Sequence, residues 1–278
     1  MIHNLFPNEV YLEPIEHKYF DSEGNQYISF SALYGKLVKK FDAVGISKLV
    51  SKHGDKSADE VRQGWEQTAT NGTRIDKALE LYAQMAFILP SDDDLKELVP
   101  HVLSKYKFYN KTFEQGVPYS KKYRVAGSWD KLSLTSNRKD SKFHLSDFKC
   151  FEKGYDSLFT VSGQPWLNPP FNHLPNTKFT KISFQLSFYA HLFEELTGRG
   201  CERLFIDLIT PVFDKDHRLV SYKNEVINTM YLKNDVKIFL ETFQEDIKDM
   251  LDNTITVEYQ DVKEHPSVNS IIDDEEIF

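Results

Sequence analysis

Only two cysteines, Cys150 and Cys201, occur in the 278 residues, far apart and without a CxxC partner. That scarcity excludes a disulfide framework, a zinc ribbon and a four-cysteine iron–sulfur cluster. No apolar run reaches the roughly eighteen residues needed to span a membrane, and the opening MIHNLFPNEV lacks the basic-then-apolar layout of a signal peptide. The expected location is therefore the cytoplasm, with no membrane partner. Internal repeats are missing too. A net positive charge is also absent: 34 Lys and Arg face 42 Asp and Glu, for a formal charge of −8. Taken whole, that balance speaks against a polyanionic partner.

The distribution of charge says otherwise. Residues 257–278 hold seven acids and one lysine, whereas residues 101–153 hold twelve Lys and Arg against five acids. A basic strip beside carboxylates suits an enzyme that attracts phosphates while keeping an anionic metal site. A solvated, lysine-rich surface would have the same composition.

With 40% apolar and 14% aromatic residues, the chain has enough apolar material for a sizeable core. HKYFDSEGNQYISF reads as a hairpin turning at residues 21–25, followed by a helix through SALYGKLVKKF. A second helix is expected from Ser57 past Leu81, with Asp59 and Glu60 in its first turn. After SDDD a third is expected through LKELVPHVLSKYKFYNKTF, bent or begun at Pro100. Between Val117 and Cys150 the pattern turns to period two, giving about three strands with a turn at TSNRKDS. Residues 151–180, rich in Pro, Asn and aromatics, read as a long loop. ISFQLSFYAHLFEEL reads as a helix capped by Gly198, followed by strands at RLFIDLIT and HRLVSYKNEV. The last helix, YLKNDVKIFLETFQEDIKDML, places Val236, Leu240, Phe243, Ile247 and Met250 on one face. The expected organisation is a hairpin-and-helix extension over 1–56, a main domain over 57–256 and an acidic, flexible tail over 257–278.

Three charges stand out because they fall on apolar strand faces. Alternation puts Asp130 with Leu132 and Leu134, and Asp147 and Lys149 with Phe143 and Leu145. An unpaired carboxylate there would cost roughly several kcal/mol. Lys149 can pair with one acid, or the strand ends can emerge into water. Alternatively the acids converge on a divalent ion such as Mg²⁺, whose hard character suits carboxylate oxygens, with Lys149 neutralising charge on a phosphate.

Asp130 followed by Asp147-Phe148-Lys149 resembles the core motif of the PD-(D/E)XK nuclease superfamily, with Trp129 where the motif's name has Pro. Gln185 and Tyr189, on one helical face, resemble the QxxxY motif of its RecB-like exonuclease branch. Gly72, Thr73, Asp76 and Glu80 keep the spacing of a further helix motif of that branch, with Asp76 in place of its usual histidine. The resemblance covers residues 60–210. It implies a restriction-endonuclease-like α/β core, with a central mixed β-sheet flanked by α-helices and an N-terminal hairpin and helical extension. It implies a Mg²⁺- or Mn²⁺-dependent exonuclease acting on DNA in replication, recombination or repair, close to cluster-free enzymes of phages and of mitochondrial genome maintenance. Asp130, Asp147 and the Phe148 carbonyl would hold the metal, with Asp76 as a further ligand, and Asp130, Asp147 and Lys149 would be catalytic. Gln185, Tyr189 and Glu80 would shape the site or hold the strand. Lys121, Lys122 and Arg124 are further candidates for DNA contact.

Trp166, Phe171, Phe159 and Tyr155 in the 151–180 segment would either stack on splayed bases or pack the segment onto its own domain. The terminal DDEEIF resembles the partner-recruiting tips of bacterial single-stranded DNA-binding proteins, so it would recruit a replication or repair protein or simply solubilise the chain. Two other functions stay open: a structure-specific or restriction-like endonuclease, and a catalytically weak DNA-binding module.

Overall fold

The computed structural model describes residues 9–252 apart from 15, 40, 85–89, 110, 115, 137 and 139. The acidic tail and its DDEEIF end lie outside the described residues.

The N-terminal strands β1 (Val10–Glu13), β2 (Lys18–Asp21) and β3 (Gln26–Ser29) form an antiparallel meander. The β2–β3 turn is closed by Asp21, whose carboxylate accepts from the Glu23 and Asn25 backbone N–H groups at 3.0 and 2.9 Å. Helix α1 (Phe30–Tyr34) follows, then α2 (Ala43–Lys52), which the sequence pattern did not single out. Helix α3 (Ala58–Gln84) opens on a capping box: Ser57 Oγ accepts from Glu60 N at 3.2 Å, and Glu60 Oε2 accepts from Ser57 N at 2.7 Å.

The third expected helix is shorter than its pattern promised. It comprises α4 (Leu98–Ser104), with Pro100 in its first turn, and a 3₁₀ turn over Lys105–Phe108. Lys111–Glu114 is instead strand β4, because it pairs antiparallel with β7 at the sheet edge. Four strands, not three, come next: β5 (Tyr119–Ser120), β6 (Val125–Ala126), β7 (Lys131–Leu134) and β8 (Phe143–Cys150). The expected 151–180 loop contains α5 (Asp156–Phe159) and a hairpin of β9 (Val161–Trp166) and β10 (Pro175–Thr177). Phe171 is wholly buried and packs on Phe184 and Phe239, so it is a core residue and not a base-stacking one.

Helix α6 (Lys178–Thr197) is capped by Thr177 at its start and by left-handed Gly198 (φ +69°) at its end. Strands β11 (Cys201–Phe213) and β12 (Leu219–Asn228) lead to α7 (Lys233–Thr242). The expected last helix breaks at Phe243 and resumes over 244–252.

Two five-stranded sheets result, each with mixed strand directions. One runs β1-β2-β3-β6-β5, the N-terminal hairpin being extended by a parallel β3–β6 pair. The other runs β12-β11-β8-β7-β4, with β8 parallel to β11 and the remaining pairs antiparallel. Phe143 and Leu145 of β8 point into a core shared with Phe30, Phe184, Phe188, Phe193 and Phe239 from α1, α6 and α7. Phe148 points the other way, into a second core with Ile75, Leu79 and Val102 from α3 and α4. The fold is thus mixed α/β with helices on both faces of the central sheet. Among the described residues no helix is long and apolar enough to cross a membrane.

One buried charge serves the sheet alone. Asp207 of β11 is fully buried and takes Lys105 Nζ at 2.6 Å, Asn224 Nδ2 at 2.6 Å and Tyr106 OH at 2.9 Å, so both oxygens are satisfied.

Phe239 meets Phe30, Phe171, Phe184, Phe188 and Phe243 with ring centroids 5.0–6.4 Å apart. Phe239→Ala should lower the unfolding free energy by about 3–5 kcal/mol in urea titration; a loss under about 1 kcal/mol would show that α7 is not part of the cooperative core.

Candidate active site

Strand β8 carries the site because its period-two alternation continues past its apolar residues. Asp147 and Lys149 follow Phe143 and Leu145 onto the α6 face, in the middle of a sheet where water is scarce. Asp147 is 4% exposed. Its Oδ2 is ion-paired to Lys149 Nζ at 2.6 Å. Lys149 Nζ also donates to the Phe148 carbonyl at 3.0 Å. One ammonium therefore touches both oxygen groups that the sequence marks on β8.

Asp130 sits in the bend just before β7, and β7 pairs antiparallel with β8, which brings Asp130 alongside Phe148. Its Oδ2 accepts from the Phe148 N–H at 2.8 Å. Burial, then the neighbouring charge of Asp147, pushes the Asp130 carboxyl well above the usual carboxylate range, and Lys149 only partly opposes this. From α3 comes Asp76. Solvent reaches this residue, yet its carboxyl stands among dense neighbours and is pushed up to about 6, by burial first, with Asp147 and Glu80 adding and Lys149 opposing. Burial presses Lys149 toward neutrality, but Asp147 and Asp130 outweigh it and hold the ammonium above its ordinary pKa.

Helix α6 closes the other side. Gln185 Nε2 donates to Tyr189 OH at 2.8 Å. Tyr189 is 5% exposed, and burial keeps its phenol protonated; the charges of Asp147 and Asp130 reach it and act in the same direction. Gly127 makes this approach possible, since a methyl group there would overlap the Tyr189 ring. A residue that the sequence reading overlooked, Lys181, stands four residues before Gln185 on the same helix and is close enough to Lys149 for their charges to repel. Its spacing from Gln185 was the available signal.

The site thus gathers Asp76, Asp130, Asp147, Lys149, Gln185 and Tyr189, with Glu80 behind Asp76. Other candidates lie elsewhere. Lys121 pairs with Glu9, Lys122 donates to Tyr123 OH at 2.7 Å, and Arg124 donates to the Gln26 carbonyl at 2.7 and 3.1 Å, all around the N-terminal sheet. Trp166 is 53% exposed on the β9–β10 hairpin.

Among the described residues no three His, Cys, Asp or Glu side chains form a ready metal-holding group. Mg²⁺ does not need one, because it commonly takes one or two carboxylates and keeps several waters. Asp130, Asp147 and the Phe148 carbonyl are hard oxygen donors of that kind, and Asp147 Oδ2 has hydrogen-bonding capacity unspent.

No family model and no curated protein matches the sequence. Among solved structures the chain is similar to an alkaline exonuclease (LHK-Exo) from Laribacter hongkongensis, with 14% identity over 83% of this chain and 98% of that one and a TM-score of 0.28. A likeness of that size carries no argument about the site.

The raised carboxyl pKa of Asp76 has a definite sign. Its neutral form is favoured by folding, so the stability it contributes is complete below about 4 and is lost as pH rises through about 6. Solvent reaches Asp76 and screens its charge, so in EDTA Asp76→Asn should melt together with wild type near pH 4 and above it at pH 8 by no more than about 2–4 °C, well short of the unscreened effect. A melting-temperature gain that does not change with pH would show that charge is not its source.

Proposed function

We propose that the chain is a divalent-metal-dependent deoxyribonuclease of the PD-(D/E)XK type, an exonuclease in preference to an endonuclease. One observation carries the reading: the carboxyls of Asp76, Asp130 and Asp147 share one electrostatic cluster answered by Lys149, and two of them are held above their ordinary pKa by burial first and then by the neighbouring acids. The Asp147–Lys149 pair accounts for one carboxylate. It does not account for three. An excess of acid in a partly dry cleft favours a cation of higher charge density.

Asp130, Asp147 and the Phe148 carbonyl would hold Mg²⁺ or Mn²⁺, with Asp76 beside them. When bound, such an ion supplies an activated water and neutralises charge on the phosphate. Lys149 stays protonated, so it offers fixed positive charge where negative charge builds on the phosphodiester. Tyr189 remains neutral and Gln185 holds it in place; together they orient a strand beside the acids without adding repulsion. The cytoplasmic location, a role in replication, recombination or repair, and recruitment through DDEEIF rest on the sequence alone.

End-labelled linear DNA with Mg²⁺ tests this directly. Lys149→Ala should lower the cleavage rate by on the order of 10²- to 10³-fold, the loss typical when one stabiliser of transition-state charge is removed. EDTA should stop wild type altogether, and closed circular DNA should survive. Equal degradation by both proteins would sink the site; cutting of the circle would make the enzyme an endonuclease.

A further inference from the structure

Lys178, Lys181, Gln185 and Tyr189 follow one another on α6 at helical spacings of three, four and four, so they form one stripe. Its far end is the pair Gln185–Tyr189 beside the catalytic acids. Its near end lines a cavity of about 720 Å³, walled by α1, the approach to α2, the β9–β10 hairpin and the start of α6. Tyr34, Lys39, Phe41, Gln164, Lys178 and Lys181 are among the lining residues.

Two cations in this cavity have no ion-pair partner among the described residues. Lys178 lies 4.3 Å from the centre of the Phe151 ring and Lys181 5.8 Å from that of Tyr34, and among the described residues neither forms an ion pair. Burial lowers the pKa of each, helped by Lys153 for Lys178 and by Lys149 for Lys181. Asp42, the carboxylate among the described lining residues, is already used: it caps α2 by accepting from Gly45 N at 2.8 Å. The Tyr34 hydroxyl, in a residue 3% exposed, has no hydrogen-bond partner among the described residues, and burial keeps it a protonated donor. At the rim Phe41 is 57% exposed and meets Trp65 edge-on, with centroids 5.7 Å apart.

Two lysines that form no ion pair among the described residues, beside an exposed aromatic, suit a single-strand nucleic-acid groove, even with Asp42 in the lining. A cavity of this volume admits groups of nucleotide size but not a duplex. We propose that it cradles a single strand of DNA running along the α6 stripe into the acids, with Lys178 and Lys181 on successive phosphates and Phe41 against a base. The proposal rests on the nuclease reading for what lies at the end of the stripe.

Fluorescence anisotropy in EDTA separates the two, because binding is then read without cleavage. Labelled dT₁₂ and a blunt 12-base-pair duplex are titrated with wild type, Lys178→Ala/Lys181→Ala, Lys178→Arg/Lys181→Arg and Phe41→Ala over a salt series. The double alanine variant should bind dT₁₂ at least about tenfold more weakly, with its salt slope reduced by about 1.4 for two lost phosphate contacts. The double arginine variant should keep binding, Phe41→Ala should weaken dT₁₂ alone, and duplex affinity should change by less than about twofold. No dT₁₂ binding by wild type, unchanged affinity in the alanine variant, or equal losses on both DNAs would each overturn the cradle. Lysine-dependent dT₁₂ binding by a protein that cleaves nothing with Mg²⁺ would sink the nuclease reading and leave the cradle standing. Lys149-dependent cleavage with lysine-independent binding would do the reverse.

Discussion

Strand β8 is covered on both faces, and the last two side chains it sends toward α6 are charged. Phe143 and Leu145 fix that orientation through the α6 core and Phe148 fixes it through the α3 core, so a one-residue slip would bury the wrong set on both sides at once. Asp147 and Lys149 cannot turn away from the interior. Everything else about the site follows from how the surroundings accommodate them.

The accommodation is incomplete. Lys149 is shared between Asp147 and the Phe148 carbonyl, Asp130 takes the Phe148 N–H but also faces Asp147, and Asp76 arrives from α3 with more negative charge than the lysine can match. Contrast Asp207, wholly buried but answered by a lysine, an amide and a phenol. Both clusters lie on the same sheet. One is closed and serves stability, whereas the other is left short of positive charge. The same contrast recurs at the start of α6, where Lys178 and Lys181 lack acids while Arg74 and Lys105 elsewhere have them.

Signals carried by neighbouring residues were legible in the chain. The Asp21 turn, the Ser57–Glu60 box and the Gly198 cap each involve groups within a few residues, so local chemistry specifies them. The Gln185–Tyr189 face of α6 and the faces of β8 followed from backbone periodicity. Lys111–Glu114 was misread as helix because its strand form depends on β7 as a partner, and residues 161–177 were misread as loop because the β9–β10 pairing spans a Pro- and Asn-rich connection. Phe171 looked available for bases until α6 and α7 closed over it.

What the sequence determined by itself is which side chains share a face: Asp147 with Lys149, and Gln185 with Tyr189; that the same helix begins at Lys178 and adds Lys178 and Lys181 to that stripe only the structure decided. The periods of strand and helix are properties of the backbone and need no partner. Only the tertiary structure decided that Asp130 meets Phe148, that Asp76 joins the acids from another helix, that Gly127 admits the Tyr189 ring, and that Lys121, Lys122 and Arg124 belong to the N-terminal sheet. Electrostatic and steric effects depend on distance through space, and strand pairing between residues far apart in the chain sets that distance.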